Sequence, residues 1–303
     1  MSVPASGLRA DHLGSNDAAV SPVFILGCSW RCGSTLLQRL LCTVDGLLVW
    51  GENQGISALL QEAHRRLRAR ETVAARERQR FHDSGSSTWI ANMGPPLEGI
   101  GQLTRRWFLD LYVPATHEAG RRRWGFKEVQ HDAAVADFLT SIFPKARVIL
   151  LVRNPIDVLA SMCSRSWYRT DGGGAEGVMR LWCHNVTTFL EARDRYPLVR
   201  YEDLLQKPAE TVARLEEAID VPPGAIDAEV LNVRLRGPES RQPVLGVREI
   251  LALRKSSVTH LSRALGYDVP ADPRVGVGKL ASALRHGRPT VGRVPTVPNP
   301  RSK

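Results

Sequence analysis

The sequence predicts a three-layer α/β fold with a mainly parallel central sheet and helices on both faces, and three observations lead there. Short apolar runs suited to buried strands lie at Val23 to Leu26, Leu47 to Val49, Arg123 to Phe126, Val148 to Val152 and Leu198 to Tyr201. Helix-like segments separate them, the alternation expected of parallel strands joined by crossover helices. With 43% apolar residues, the 303-residue chain can fill one sizeable core, and doubly wound folds routinely reach this length as a single domain.

The first strand, Val23 to Leu26, is followed by a short polar loop and a segment in which Leu36, Leu37, Leu40 and Leu41 recur at helical spacing. Gly27 and Gly33 permit close backbone approach, and the N–H groups and dipole at the helix start favour an anion, so the unit is P-loop-like. A metal-dependent ATP loop needs Gly-Lys-Ser/Thr, with lysine on the outer phosphates and a hydroxyl on magnesium. Here Gly33 precedes Ser34 and Thr35, no lysine is present, and the nearest cation is Arg31. A planar guanidinium makes forked contacts to phosphate or sulfate oxygens without a metal. The loop points to an anionic nucleotide handled without magnesium. Glycine loops also occur as plain structural punctuation.

The second strand run, Leu47 to Val49, leads to Gly51-Glu52, and a helix is expected to begin near Asn53, where Glu52 would be a favourable capping charge. The Arg-, Ala- and Glu-rich stretch from Glu62 to Gln79 reads as a solvated helix rather than a nucleic-acid surface, since no aromatic residues interleave with its arginines. Residues 83–122 read as a helical insertion with loops, of the kind that shapes an acceptor pocket. The third run ends in Trp124-Gly125-Phe126-Lys127-Glu128. Lys127 either serves a site at a strand end or pairs with Glu128 or Asp132 at the surface.

The fourth run ends at Arg153, and Asn154-Pro155 then opens a helix, with Asn as cap and Pro as first residue. Arg153 thus sits at the carboxyl end of a parallel strand, where open sheets bind ligands, and Ser161 follows on the helix. An arginine satisfying nearby carbonyls and a solvent-facing serine would give the same local pattern. The fifth run passes into Tyr201, Glu202 and Asp203, with Pro208 opening a further helix. Tyr201 either packs or donates to a phosphate.

After Asp268 no apolar face of useful length persists, and disorder is expected from residue 271. Residues 271–303 hold seven Lys or Arg against one Asp, a net +6 of the whole chain's +10. The body is therefore mildly basic, which argues against a nucleic-acid partner. Three regions are expected: a flexible segment at 1–20, a catalytic domain at 21–270 and a basic tail at 271–303. The first twenty residues lack a secretion signal and no transmembrane span is visible, so a cytoplasmic protein without stable membrane insertion is expected. The five cysteines, Cys28, Cys32, Cys42, Cys163 and Cys183, form no paired zinc pattern and suit reduced thiols, and no metal is expected.

These motifs together resemble the sulfotransferases that use 3′-phosphoadenylyl sulfate, over roughly residues 22 to 268. The resemblance implies that Arg31, Cys32, Gly33, Ser34 and Thr35 grip the 5′-phosphosulfate. It implies that Arg153 and Ser161, eight residues apart, hold the 3′-phosphate, with Tyr201 as a further donor-site candidate. Trp124 to Glu128 is similar to the family strand whose lysine lies near the transferred group, which gives Lys127 that role. Gly51-Glu52 lies where the branch containing tyrosylprotein sulfotransferases and related bacterial enzymes carries its catalytic base. Leu265-Gly266-Tyr267 resembles a closing segment of the same branch. Cys32 stands where a serine is usual, Ser34 where threonine is, and Val129 and Gln130 follow Glu128 without the proline often found there.

The expected function is transfer of a sulfuryl group from 3′-phosphoadenylyl sulfate to a hydroxyl of a small metabolite or glycoconjugate by in-line displacement. Glu52 is the expected base and Lys127 the expected electrostatic partner; His131 and His184 are alternative bases in ordinary helical contexts. A P-loop kinase, or a noncatalytic regulator that binds adenosine bisphosphate, are the alternatives. The loop lacks the kinase lysine, and Glu52 together with Lys127 argues for an enzyme.

Overall fold

A computed structural model describes residues 20–268, apart from 88, 164, 166–167, 169–172 and 234–244, and apart from the side chain of residue 86. The segment before residue 20 and the basic tail lie outside the described residues.

The apolar runs become strands β1 (Val23–Gly27), β2 (Leu47–Trp50), β3 (Arg123–Val129), β4 (Arg147–Val152) and β5 (Leu198–Arg200). They form one sheet in the order β2-β3-β1-β4-β5, and every pairing is parallel. Parallel strands of this kind are covered on both faces, which is why β1 is buried at all five positions and reads as an unbroken apolar run. Val23 faces Gly125 on one side and Arg147 on the other. The same register carries Ile25 beside Lys127 and Leu26 beside Glu128. Strand β3 runs on to Val129, so Lys127 and Glu128 lie past the last β2 pair, at Phe126, and are paired with β1.

The helices are α1 (Ser34–Leu41), α2 (Ile56–Ser84), α3 (Ile100–Glu118), α4 (Ala133–Ile142), α5 (Pro155–Cys163), α6 (Gly174–Ala192), α7 (Tyr201–Gln206), α8 (Pro208–Ile219), α9 (Val247–Leu253) and α10 (Ser256–Ala264). Helix α2 is longer than the expected 62–79 and largely solvated. It buries Ser57, His64, Ala74 and Glu77, while Arg65 and Arg66 pair with Glu62, and Arg78 with Glu71.

The stretch 83–122 is more than an insertion, because α3 belongs to the core. Its Phe108 and Tyr112 enter an aromatic cluster with Phe24, Trp124, Phe126 and Phe143. Tyr112 stacks on Trp124 at 5.0 Å and 8°, and Phe24 meets Trp124 edge-on at 5.7 Å and 74°. Each such buried ring contributes about 1.5–3 kcal/mol by leaving water. Among the described residues no helix is long and apolar enough to cross a membrane.

Candidate functional site

The carboxyl ends of β1, β3 and β4 bring their loops to one edge of the sheet. Between β1 and α1 the chain turns through Arg31, at φ 61°, and Gly33, at φ 96°. A non-glycine residue in the left-handed region costs about 1–2 kcal/mol, so Arg31 needs outside support. It receives it from Arg153, whose guanidinium donates to the Arg31 carbonyl oxygen at 2.9 Å. Arg31 in turn donates from Nε to Ser161 Oγ at 2.9 Å, across 130 residues of sequence. The two arginines and the serine singled out in the sequence therefore meet in one hydrogen-bonded cluster.

Gly33 is obligatory by geometry as well as dihedral. A Cβ there would lie 2.1 Å from Cδ2 of Tyr201. The Tyr201 ring fills that space, and its other neighbour is the Arg153 guanidinium, 4.2 Å from the ring centroid, a cation–π contact. Tyr201, expected as the last residue of a strand, opens α7 instead, and this turn brings its ring over the loop.

Cys32 turns into the core. It is fully buried, and its sulfur occupies the space a side chain at Gly27 would need. Burial pushes its thiol pKa up, while the Ser34 and Ser29 backbone N–H groups and the charges of Arg153 and Lys127 push it down. Cys32 can therefore offer an anion its backbone but not its sulfur. Ser34 is buried in the first turn of α1 and Thr35 is exposed there. Gly33 caps that helix without a side-chain hydrogen bond, leaving the anion-attracting end of the dipole toward the loop.

A third guanidinium joins the first two. Burial lowers the Arg31 pKa, and the neighbouring charges of Arg165 and Arg153 lower it further. Nε of Arg153 and Nε of Arg165 are buried without a hydrogen-bond partner. Converging cations with orphaned N–H donors repel one another and lose solvation unless an anion is shared among them. This is the chemistry of a phosphate or sulfate site, and the donor set fits a phosphorylated nucleotide. Arg165 was not visible from the sequence, because it lies beyond α5 with no local pattern to mark it.

The floor beneath Arg153 is also fixed. Asn154 accepts from the Ile156 N–H at 2.9 Å, capping α5 as its Asn-Pro pair suggested. The Asn154 N–H donates to Glu202 Oε1 at 2.9 Å, and the Tyr267 hydroxyl donates to Glu202 Oε2 at 2.7 Å. Trp182 Nε1 donates to the Arg153 carbonyl at 3.0 Å.

On the other side of the loop, Lys127 Nζ lies 2.6 Å from Glu52 Oε1. The lysine side chain is 8% exposed and the glutamate 38%, so the pair reaches from the sheet edge toward solvent. Lys127 pairs with neither Glu128 nor Asp132. Glu52 does not cap α2 either: that helix starts at Ile56, after Gln54 and Gly55 turn the chain at φ 60° and 80°. The N–H groups of Asn53 and Gly55 go instead to Oε1 of Glu128, at 2.7 and 3.3 Å. Burial raises the Glu128 pKa, those N–H groups lower it, and the Glu52 charge raises it.

His131 Nε2 stands 3.7 Å from Glu128 Oε2, its pKa lowered by burial, and His184 lies 3.2 Å from Asp132. Both histidines thus have carboxylate neighbours other than Glu52, whose own partner is Lys127.

The model of the sulfotransferase family matches residues 22–224. Among solved structures, the sulfotransferase domain from the curacin biosynthetic pathway is 18% identical with a TM-score of 0.49, covering 82% of this chain and 99% of that one. Sulfotransferase STF9 from Mycobacterium avium is 17% identical with a TM-score of 0.44, covering 85% and 80%. Mouse sulfotransferase SULT7A1, solved in complex with PAP, is 11% identical with a TM-score of 0.39, covering 88% and 82%. No curated protein matches the chain. The family match is to the family as a whole rather than to one branch. Since it spans more than half of the sequence and takes in the β1 loop, the Glu52 turn, Lys127, Arg153 and Tyr201, this chain belongs to the sulfotransferase family.

Proposed function

We propose that the protein transfers a sulfuryl group from 3′-phosphoadenylyl sulfate to a hydroxyl of a small metabolite or glycoconjugate. The observation that carries this reading is the convergence of Arg31, Arg153 and Ser161, with Arg165, on one side of a loop whose other side holds the Lys127–Glu52 pair. The cationic side suits the charges of the nucleotide. The other side suits an acid–base step.

In this reading Arg153, Arg165 and Ser161 take the 3′-phosphate, and Tyr201 holds Arg153 flat against the loop. Arg31 and the N–H groups at the start of α1 orient the 5′-phosphosulfate, with Ser34 and Thr35 as hydroxyl donors. Glu52 accepts the proton of the acceptor hydroxyl as its oxygen attacks sulfur. The bond between sulfur and the bridging oxygen breaks, and Lys127 neutralises the charge that develops on that oxygen. The products are the sulfated acceptor and adenosine 3′,5′-bisphosphate. The ion pair gives this step an order: as Lys127 turns to the donor, the Glu52 oxygen it held becomes free to take the proton.

The test is turnover of 3′-phosphoadenylyl [³⁵S]sulfate with pooled acceptors, run beside γ-labelled ATP. Transfer of sulfur label with no transfer from ATP supports the reading. Transfer from ATP would assign a kinase, and tight binding of adenosine 3′,5′-bisphosphate with no transfer to any pool would assign a noncatalytic binder.

A further inference from the structure

The turn that carries Glu52 does not hold itself. Residues 51–55 leave β2 and enter α2 through two consecutive left-handed residues, Gln54 at φ 60° and Gly55 at φ 80°, of which only the second is a glycine. The Asn53 side chain donates from Nδ2 to Ser57 Oγ at 2.9 Å, within the next turn, and lies against the Tyr112 hydroxyl of α3. Among the described residues, this segment's backbone is tied to the sheet by Oε1 of Glu128, which accepts from both the Asn53 and the Gly55 N–H groups.

Glu128 is suited to fix a geometry. It is 2% exposed and sits on β3, directly after Lys127. Strand β3 is paired with β1 at both positions, with Leu26 opposite Glu128 and Ile25 opposite Lys127, and its pairing with β2 reaches Phe126 just before them. The carboxylate of Glu52 and the ammonium of Lys127 are thus both referenced to two consecutive residues of an interior strand. Burying a carboxylate is expensive, and a neutral amide could accept the same two hydrogen bonds at lower desolvation cost.

We propose that Glu128 is a positioning residue, clamping the 53–55 turn so that Glu52 is held against Lys127 and toward the acceptor hydroxyl. The inference rests on the reading of Glu52 as the base. Glu128 itself need touch neither donor nor acceptor.

The test uses the full chain and three variants. E128A removes the acceptor oxygen, E128D draws it back by one carbon so that both N–H groups cannot be reached, and E128Q keeps an oxygen in place. The readouts are residue-resolved amide hydrogen exchange at Asn53 and Gly55, turnover with labelled 3′-phosphoadenylyl sulfate, and affinity for adenosine 3′,5′-bisphosphate. E128A and E128D should exchange faster at those two amides and lose about 10²-fold in turnover, the cost of a misplacement on the order of 1 Å. Their nucleotide affinity should stay at the wild-type level, and E128Q should recover most of the loss.

Unchanged exchange in both E128A and E128D overturns the clamp. Faster exchange with unchanged turnover overturns its catalytic consequence, and an equal loss of nucleotide affinity makes Glu128 a structural prop and overturns the proposal as well. If E128A does not fold, E128D and E128Q carry the comparison. An E52Q variant as active as wild type would refute Glu52 as base, a separate failure that the exchange data do not share.

Discussion

Replacing Gly33 with alanine perturbs the donor loop through two terms that the structure sets separately. The backbone there has φ 96°, which costs a residue with a Cβ about 1–2 kcal/mol. The new methyl would also stand 2.1 and 2.5 Å from two carbons of the Tyr201 ring, a distance at which the ring must move. Displacing it uncouples the ring from Arg153, 4.2 Å away, and forfeits a cation–π contact of about 0.5–2 kcal/mol. Together these amount to roughly 1.5–4 kcal/mol, or about 10- to 10³-fold in nucleotide affinity if the whole penalty falls on the bound loop. Isothermal titration with adenosine 3′,5′-bisphosphate reads the effect directly. In the double variant G33A/Y201A the clash is gone and the backbone term remains, so its affinity should fall below that of Y201A alone by the smaller factor only. A G33A protein that binds within about twofold of wild type would refute the packing argument.

Three further outcomes follow from the same geometry. K127A and E52Q should each abolish turnover while leaving adenosine 3′,5′-bisphosphate binding near wild type, as read by titration and labelled-donor assay; matching losses of binding would place both residues in donor capture. Y267F removes the hydroxyl donated to Glu202 and leaves a partly buried carboxylate oxygen short of a donor, so thermal unfolding should show a loss of about 1–3 kcal/mol. Glu128 has a folded pKa raised by burial, so it holds its proton more tightly in the native state than in the unfolded chain. Its contribution is therefore fully present below the ordinary value of 4.5 and is lost as pH rises through the folded pKa. Melting curves of wild type against E128Q should show wild type losing ground as pH rises from about 4.5, and a difference that is flat with pH would contradict this.

The sheet was legible because parallel strands covered on both faces are written as unbroken apolar runs, and β1 and β4 are such runs. Arg153 was legible because Asn154 and Pro155 mark the strand-to-helix boundary that places it. Its approach to Arg31 was not, since their contact joins residues 122 apart in sequence and depends on β1 and β4 being neighbours. Helix α3 reads as an insertion in sequence because exposed Leu103, Trp107 and Leu111 surround buried Phe108 and Tyr112, blurring the apolar face. For Lys127 the sequence leaves a surface pairing with Glu128 or Asp132 open as the alternative to a site role. A strand position that looks like an exposed acid in sequence is buried here, by the very turn it holds. For Glu52 the sequence places the helix start near Asn53, and it lies at Ile56 because Gln54 in the left-handed region gives no compositional signal. The place of Cys32 in the loop suggests a donor contact, and its burial against Gly27 turns the sulfur inward instead.

The central claim is that guanidinium groups from the ends of β1 and β4 converge on a nucleotide bearing a 3′-phosphate. The most direct measurement is the affinity ratio between adenosine 3′,5′-bisphosphate and adenosine 5′-monophosphate, for wild type and for R153A, at fixed ionic strength. Hydrogen bonds to charged groups are worth about 1.5–3 kcal/mol each, so wild type should prefer the bisphosphate by at least about tenfold, and R153A should lose most of that preference. Equal affinity of wild type for the two nucleotides, or a preference that survives R153A intact, would contradict the account.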